Sequence, residues 1–117
     1  MHILSVVLQI ILGLGFLMFG FMKFGSKQMV EGFNHYGYSS WFRVFTGIVE
    51  VVSAILVIAG IWYEALAAWG SVIILITMIG AIMTHIKIND NVKQMGMPIM
   101  LFILGLVVFL INYDALI

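Results

Sequence analysis

The sequence predicts an all-α fold, an integral membrane bundle of four transmembrane helices in a single domain spanning residues 1–117. Of the 117 residues, 64 % are hydrophobic and 9 % are charged, and the mean hydropathy is +1.22. A soluble globule of this length has too little polar surface to cover so much apolar side chain. Four runs are long enough to cross a hydrocarbon layer about 30 Å thick, and no linker-like stretch divides the chain.

The four predicted transmembrane helices are residues 3–22, 44–60, 65–84 and 97–113. Pro98 fits the first turn of the last helix, where a backbone N–H has no partner within the helix. The connections are short except at residues 23–43, which contain the aromatic residues Phe33, Tyr36, Tyr38 and Trp41. Such a segment can lie in the membrane interface as a short helix that caps the bundle, or serve only as an aromatic anchor. Its rings could also wall an apolar pocket.

The positive charges predict how the chain is oriented in the cell membrane. All five basic residues fall in the first and third connections, at Lys23, Lys27, Arg43, Lys87 and Lys93. The N-terminus, the turn at 61–64 and the C-terminus have none. Because cytoplasmic connections carry the excess of Lys and Arg, we expect a multi-pass protein with both termini outside.

Charge and cysteine content exclude several functions. Five basic residues are balanced by five acidic ones, so the chain has no basic surface for nucleic acid, and no nucleic-acid partner is predicted. The absence of cysteine removes disulfides, thiolate metal sites and iron–sulfur clusters. No haem, iron–sulfur or metal site is evident, so a redox role would require a borrowed cofactor.

Small and polar residues recur on one face of each predicted helix, at the spacing of bundle-facing positions. The first helix has Gln9, Gly13, Phe16, Gly20 and Lys23. The second has Arg43, Gly47, Glu50 and Ala54, with Thr46 and Ser53 alongside. The third has Gly70, Ile74, Thr77, Ala81 and His85, flanked by Thr84, and the fourth has Pro98, Gly105 and Asn112. In lipid, small residues let helix backbones approach closely, so these faces are predicted to pack together.

Glu50 is the most informative residue, because it lies inside a predicted transmembrane helix. At a rise of about 1.5 Å per residue it lies about 10 Å inside Arg43, where a charge costs on the order of 3 kcal/mol. One interpretation is an uncharged hydrogen-bond link to a Thr or Ser of another helix. The other is a ligand or proton site in which Glu50 is the catalytic residue.

Lys23, Arg43 and His85 are predicted to converge with Glu50 at the cytoplasmic mouth of the bundle as ligand-binding groups. Lys23 and His85 end neighbouring stripes, and Arg43 lies two turns before Glu50 on the same face. Two of them also have simpler interpretations. Lys23 could be a snorkelling anchor, and His85 could be an interfacial histidine with one hydrogen bond.

Four stretches of the chain resemble the DoxX-like family of small bacterial four-helix membrane proteins. They are GLGFLMFGFMKFG, MVEGFNHYGYSSWFR, GIVEVVSAILVIAGIW and MTHIK. The order of a Lys that closes the first helix, a Glu within the second and a Thr–His pair that closes the third is the specific part of this resemblance. Many members have a proline where this chain has Ser39, a departure that affects the loop rather than the fold.

The resemblance implies a left-handed four-helix bundle and a role near membrane redox processes. Some relatives are described as subunits of thiosulfate:quinone oxidoreductase, others as membrane partners of detoxifying enzymes, and distant animal relatives as assembly chaperones. Residue by residue, only Lys23, Glu50 and His85 match positions of the family pattern.

Three functions fit these observations. The first is a membrane subunit that carries no cofactor of its own and binds a lipophilic molecule such as a quinone between the helices, where Glu50 exchanges a proton and Lys23 and His85 stabilise an oxygen anion. The second is a membrane scaffold or assembly chaperone that binds a protein partner. The third is a small transporter of protons or drugs, which would usually form a homo-oligomer.

Overall fold

The computed structural model describes residues 2–87 and 92–116, with side chains described at 2–87 and 96–115. The helices are α1 (His2–Met22), α2 (Lys27–Tyr36), α3 (Ser40–Ala59), α4 (Glu64–Lys87) and α5 (Val92–Asn112), and a 3₁₀ turn follows at Tyr113–Leu116. The described residues contain no strand, so the all-α prediction is confirmed. The side chain of Lys93, one of the charges used for orientation, lies outside the described residues.

Four helices are long and apolar enough to cross a membrane: α1, α3, α4 and the part of the last helical segment at Gly96–Ala115. Their outward faces carry large apolar side chains that are more than half exposed, including Ile11, Leu14, Ile55, Ile76 and Ile103. A continuous apolar surface of this kind is suited to acyl chains, not to water. The prediction of a multi-pass membrane protein is confirmed.

The predicted start of the second spanning helix at residue 44 was wrong, because α3 begins at Ser40. Ser39 is its N-cap, with extended backbone, and its hydroxyl accepts a hydrogen bond of 3.2 Å from the N–H of Phe42. This cap satisfies one of the backbone donors left open at a helix start. Hydropathy missed it because the first turn of α3 is polar and aromatic. The residue that departs from the family pattern thus starts α3.

The last helix also begins earlier than predicted, at Val92 instead of residue 97. Pro98 therefore lies inside α5, not in its first turn. Proline has no N–H, so α5 lacks one internal hydrogen bond at this point. The helix nevertheless continues on both sides of Pro98. Smaller shifts affect the third helix, where α4 spans Glu64–Lys87 instead of 65–84.

The four long helices form a closed ring in which α1 packs on α3, α3 on α4, α4 on α5, and α5 on α1. The α1–α3 contact depends on glycine. A Cβ atom on Gly47 would lie 2.8 Å from the carbonyl oxygen of Gly20, and one on Gly20 would lie 2.9 Å from the carbonyl oxygen of Gly47. Both distances are too short for a real side chain, so the predicted role of these glycines in close helix packing is confirmed.

The centre of the bundle is apolar, and its fully buried side chains include Leu12, Phe16, Val57, Ile74 and Val108. A polar network lies on the side of this core where α1 begins. The Gln9 amide donates to the main-chain oxygen of Val57 at 2.9 Å, and the Ser5 hydroxyl donates to Gln9 Oε1 at 2.7 Å. Asn112 completes it by donating to Ser5 Oγ at 2.9 Å. These bonds tie α1, α3 and α5 together through side chains that are almost fully buried.

Candidate functional site

Helices α3 and α4 are closely packed near their connection. A Cβ atom on Gly60 would collide with the backbone of Ala67, and one on Gly70 would lie 2.7 Å from Cγ2 of Val57. Farther from the connection, side chains of both helices line a cavity of about 750 Å³. Its volume is in the range of small-molecule sites in proteins.

All five α-helices contribute to the cavity. Most of the lining is apolar or aromatic, and includes Phe16, Phe19, Phe33, Phe42, Phe45, Met78 and Leu101. The polar lining side chains with ionisable or hydroxyl groups are Lys23, Tyr36, Tyr38, Thr46, Glu50, Thr77, Thr84 and His85. An apolar enclosure with a few polar groups is typical of a site for a lipophilic molecule.

The Lys23–Glu50 ion pair lies in the lining of this cavity. Lys23 Nζ is 2.9 Å from Glu50 Oε1 and 3.2 Å from Oε2, so the ammonium contacts both carboxylate oxygens. The Lys23 side chain is 12 % exposed and that of Glu50 is 4 % exposed. Lys23 therefore turns into the bundle and does not snorkel outward. The side-chain partner of Glu50 is therefore a lysine, and not the Thr or Ser of the hydrogen-bond interpretation.

Arg43 supports this pair through the main chain of Lys23. Its guanidinium donates from Nη1 to the main-chain oxygen of Lys23, at the carboxyl end of α1. A positive group is favourable there, because the last carbonyls of a helix have no partner within it and carry partial negative charge. Arg43 is not among the described residues that line the cavity. Of the four residues predicted to converge, Lys23, Glu50 and His85 share the cavity, and Arg43 fixes the backbone that carries Lys23.

At the mouth of the cavity, Tyr38 is joined to Thr84 by a hydrogen bond of 2.8 Å between their hydroxyl oxygens. The Thr84 hydroxyl donates its single proton to the main-chain oxygen of Gly80 at 2.9 Å, so Tyr38 is the donor in the bond to Thr84. This bond connects the segment before α3 to α4 across the mouth. The ammonium of Lys87 lies 5.2 Å from the centre of the Tyr38 ring and adds a cation–π contact.

His85 also lies at the mouth, where it is half-buried. Its ring meets that of Tyr36 edge to face, with 5.8 Å between the ring centres. Among the described residues, no group of three or more His, Asp or Glu side chains is placed to hold a metal ion. The ammonium of Lys23 and the carboxylate of Glu50 lie together in the wall of the cavity. The imidazole of His85 and the phenol of Tyr38 lie at its mouth.

Helix α2 covers the mouth, as one interpretation of the long connection predicted. Ser26 caps its start by accepting from the N–H of Met29, and Gly37 ends it with a left-handed backbone at φ 85°. Glycine adopts this conformation without the strain that a side chain would bring. The buried ring of Phe33 contacts the rings of Tyr36, Tyr38 and Phe42, at centre distances of 5.6 to 6.4 Å. The same segment thus forms a short helix over the cavity and part of the cavity wall.

The sequence profile of the DoxX-like family matches residues 7–108, which is most of the chain and includes Lys23, Glu50 and His85. The chain belongs to the DoxX-like family. An uncharacterized protein of Bacillus subtilis (strain 168), YdgD, is 34 % identical to this DoxX-like chain over 83 residues, which cover 70 % of the chain and 73 % of YdgD. No solved structure gives a significant match. The family assignment confirms the resemblance noted in the sequence and is consistent with the four spanning helices.

Sequence reasoning singled out Lys23, Glu50 and His85 but did not anticipate the Tyr38–Thr84 bond. Tyr38 was grouped with the aromatic residues of the long connection, and Thr84 only flanked a stripe. The signal that could have found the pair is the sequence Gly–Tyr–Ser–Ser at 37–40, in which a glycine and a serine cap bracket one tyrosine. A tyrosine between the end of one helix and the start of the next has a restricted side-chain orientation. Its hydroxyl is therefore suited to a hydrogen bond with a distant part of the chain.

Proposed function

We propose that this DoxX-like protein is a membrane subunit that binds a lipophilic molecule, such as a quinone, in the cavity between its helices. The observation that carries the proposal is the buried ion pair of Lys23 and Glu50 in the wall of a largely apolar cavity of about 750 Å³. A structural ion pair alone does not require a cavity beside it. A lipophile with an oxygen atom would gain both an apolar enclosure and a charged partner there.

In this proposal, Lys23 and Glu50 have different roles at the polar end of the ligand. The Lys23 ammonium donates a hydrogen bond to a ligand oxygen and stabilises negative charge on it. Glu50 accepts or supplies the proton that accompanies reduction or oxidation of that oxygen. His85 serves as a second donor at the mouth. If the ligand is a quinone, each of its two oxygens gains one proton and one electron on reduction, and the electrons come from a separate electron-donating protein.

Mass spectrometry of small molecules extracted from the purified protein tests this proposal. We expect an isoprenoid quinone or similar oxygen-containing lipophile, enriched over its fraction in the surrounding membrane. Lys23→Met should lose that enrichment, whereas Lys27→Met, which changes an exposed lysine of α2, should keep it. Bulk phospholipid alone, together with a co-purified protein at equal stoichiometry, would favour the scaffold function and contradict the proposal.

A further inference from the structure

The cavity opens on the outer surface of the bundle between α3 and α4. Three of its lining residues are exposed there: Phe45 of α3 at 46 %, and Ile76 of α4 at 65 %, together with Gly80. Residues that line a cavity and are also exposed mark its opening. Gly80 lies about 10 Å inside Lys87 along α4, at about 1.5 Å per residue, which is a depth of acyl chains and not of water.

Gly80 differs from the glycines that hold the helices together. A Cβ atom on Gly47 or Gly70 would meet another helix at 2.8 or 2.7 Å, but one on Gly80 would have no atom within 4 Å. Helix packing therefore does not account for the space beside Gly80. That space continues the cavity outward, past Phe45 and Ile76, to the lipid-facing surface.

Gln28 of α2, Phe42 of α3 and Met97 of α5 also line the cavity and are exposed, each near the start of its helix. The Lys23–Glu50 pair forms part of its wall, and α2 and the Tyr38–Thr84 hydrogen bond cover its mouth. A molecule in this cavity thus meets charged groups at one point and has an apolar way out on the side toward the bilayer. This arrangement suits a molecule with a compact polar head and an apolar tail, because each part meets groups of its own polarity.

We infer that the ligand is a tailed amphiphile, with its head at Lys23 and Glu50 and its tail leaving the bundle between α3 and α4 beside Gly80. The inference rests on the proposed function and specifies the class of ligand. The head carries an oxygen that accepts from the ammonium of Lys23. The tail lies among acyl chains outside the cavity, so its length is not limited by the 750 Å³ inside.

Two probes with the same head test the inference: a dimethoxy-benzoquinone with a decyl tail, and the same quinone with a methyl group in place of that tail. Binding is read from quenching of Trp41, which stacks on Phe45 with 5.3 Å between ring centres, in a background carrying Trp62→Phe and Trp69→Phe. Affinities are referred to the probe concentration within the detergent micelles. On this scale we expect both probes to bind the parent protein with similar affinity, because the tail lies among acyl chains whether the probe is free or bound.

Gly80→Phe should weaken binding of the tailed probe by about tenfold and change that of the methyl probe by less than about twofold. Gly15→Phe is the matched control, because a Cβ atom on Gly15 also has no atom within 4 Å and Gly15 does not line the cavity. It should leave both affinities unchanged. If Gly80→Phe fails to fold, Gly80→Leu gives a smaller block at the same place, with Gly15→Leu as its control.

The outcomes separate the two proposals. If neither probe binds the parent protein, both the proposed function and the tailed ligand are wrong. If a block at Gly80 affects both probes equally, or affects neither, the tail placement is overturned and the proposed function stands. The chain has no natural cysteine, so oxidation of Gly80→Cys in the membrane also tests for a second copy at the opening. A disulfide-linked dimer in high yield would overturn the inference.

Discussion

The ammonium of Lys23 contacts both carboxylate oxygens of Glu50, at 2.9 and 3.2 Å, and so joins the carboxyl end of α1 to the middle of α3. If the ion pair is broken, the two side chains differ in whether they can reach the membrane interface. Lys23 directly follows α1 and has a long side chain that could turn toward the interface. Glu50 is 4 % exposed and has no such route. Loss of Glu50 therefore leaves a lysine that can turn toward the interface, whereas loss of Lys23 leaves a buried carboxylate without its cation.

Lys23→Met should destabilise the protein more than Glu50→Gln. The first change leaves a buried carboxylate without its cation and should cost about 3 kcal/mol or more. The second leaves a lysine that can reorient and should cost about 1 kcal/mol, as for one interhelical hydrogen bond in a membrane. Unfolding in mixed micelles at increasing denaturing detergent measures both. Lys27→Met is the control, and equal losses for Lys23→Met and Glu50→Gln would contradict the asymmetry.

Glu50→Gln should fold but lose the pH dependence of ligand binding. The amide keeps the shape and hydrogen-bonding capacity of the carboxyl group, but it cannot gain or lose a proton. Binding of the tailed benzoquinone, measured from about pH 5 to pH 8 in a His85→Gln background that removes the imidazole from the cavity lining, checks this expectation. Glu31→Gln is the matched control, since Glu31 is exposed on α2 and does not line the cavity. An unchanged pH profile in Glu50→Gln would reduce Glu50 to a structural residue.

Gly20→Leu should lower stability in detergent far more than Gly15→Leu. The Cβ of the first would lie 2.7 Å from Val51 Cγ2 and 2.9 Å from the carbonyl oxygen of Gly47, so α1 and α3 must separate. The Cβ of the second meets nothing within 4 Å. We expect a loss of about 2 kcal/mol or more for Gly20→Leu and less than about 0.5 kcal/mol for Gly15→Leu. Comparable losses would refute the importance of the glycine contact.

A cysteine at Lys27 should be shielded from a membrane-impermeant thiol reagent in intact cells, whereas one at Asp114 should be labelled. The positive charges of the first and third connections motivate this orientation, with both termini outside. Both positions are exposed in the structure, so burial within the bundle does not confuse the result. Permeabilised cells, in which both cysteines should react, supply the control. The opposite labelling pattern would reverse the proposed topology.

Tyr38→Phe should speed release of the methyl quinone by about fivefold, because this probe has no tail between α3 and α4 and one hydrogen bond of about 1 kcal/mol no longer holds the mouth. Stopped-flow displacement of the methyl quinone measures the rate. Thr46→Val is a suitable control, since Thr46 also lines the cavity but its hydroxyl donates only within α3, to the main-chain oxygen of Phe42 at 2.9 Å. A release rate that changes equally in both variants would show that the Tyr38–Thr84 bond does not hold the mouth closed.

Helical periodicity predicted which face of each helix points into the bundle. It did not predict whether that face packs in the core or lines the cavity. In α4, the predicted stripe divides: Gly70 and Ile74 are buried in the core, whereas Thr77, Ala81 and His85 line the cavity. A repeat of three and four residues identifies one side of a helix and contains no information about the distance to the next helix. That distance depends on where glycine permits contact between two particular helices.

The sequence by itself determined that the chain spans a membrane, that four helices do so, and that Lys23 and Glu50 lie on inward faces. Those properties follow from apolar length and from the helical repeat, which are local. Only the tertiary structure decided that Lys23 pairs with Glu50, that Arg43 binds the backbone of Lys23, and that Tyr38 reaches Thr84. Each of these contacts depends on the register between separate helices, which the Gly20–Gly47 contact and the shape of the packed side chains set.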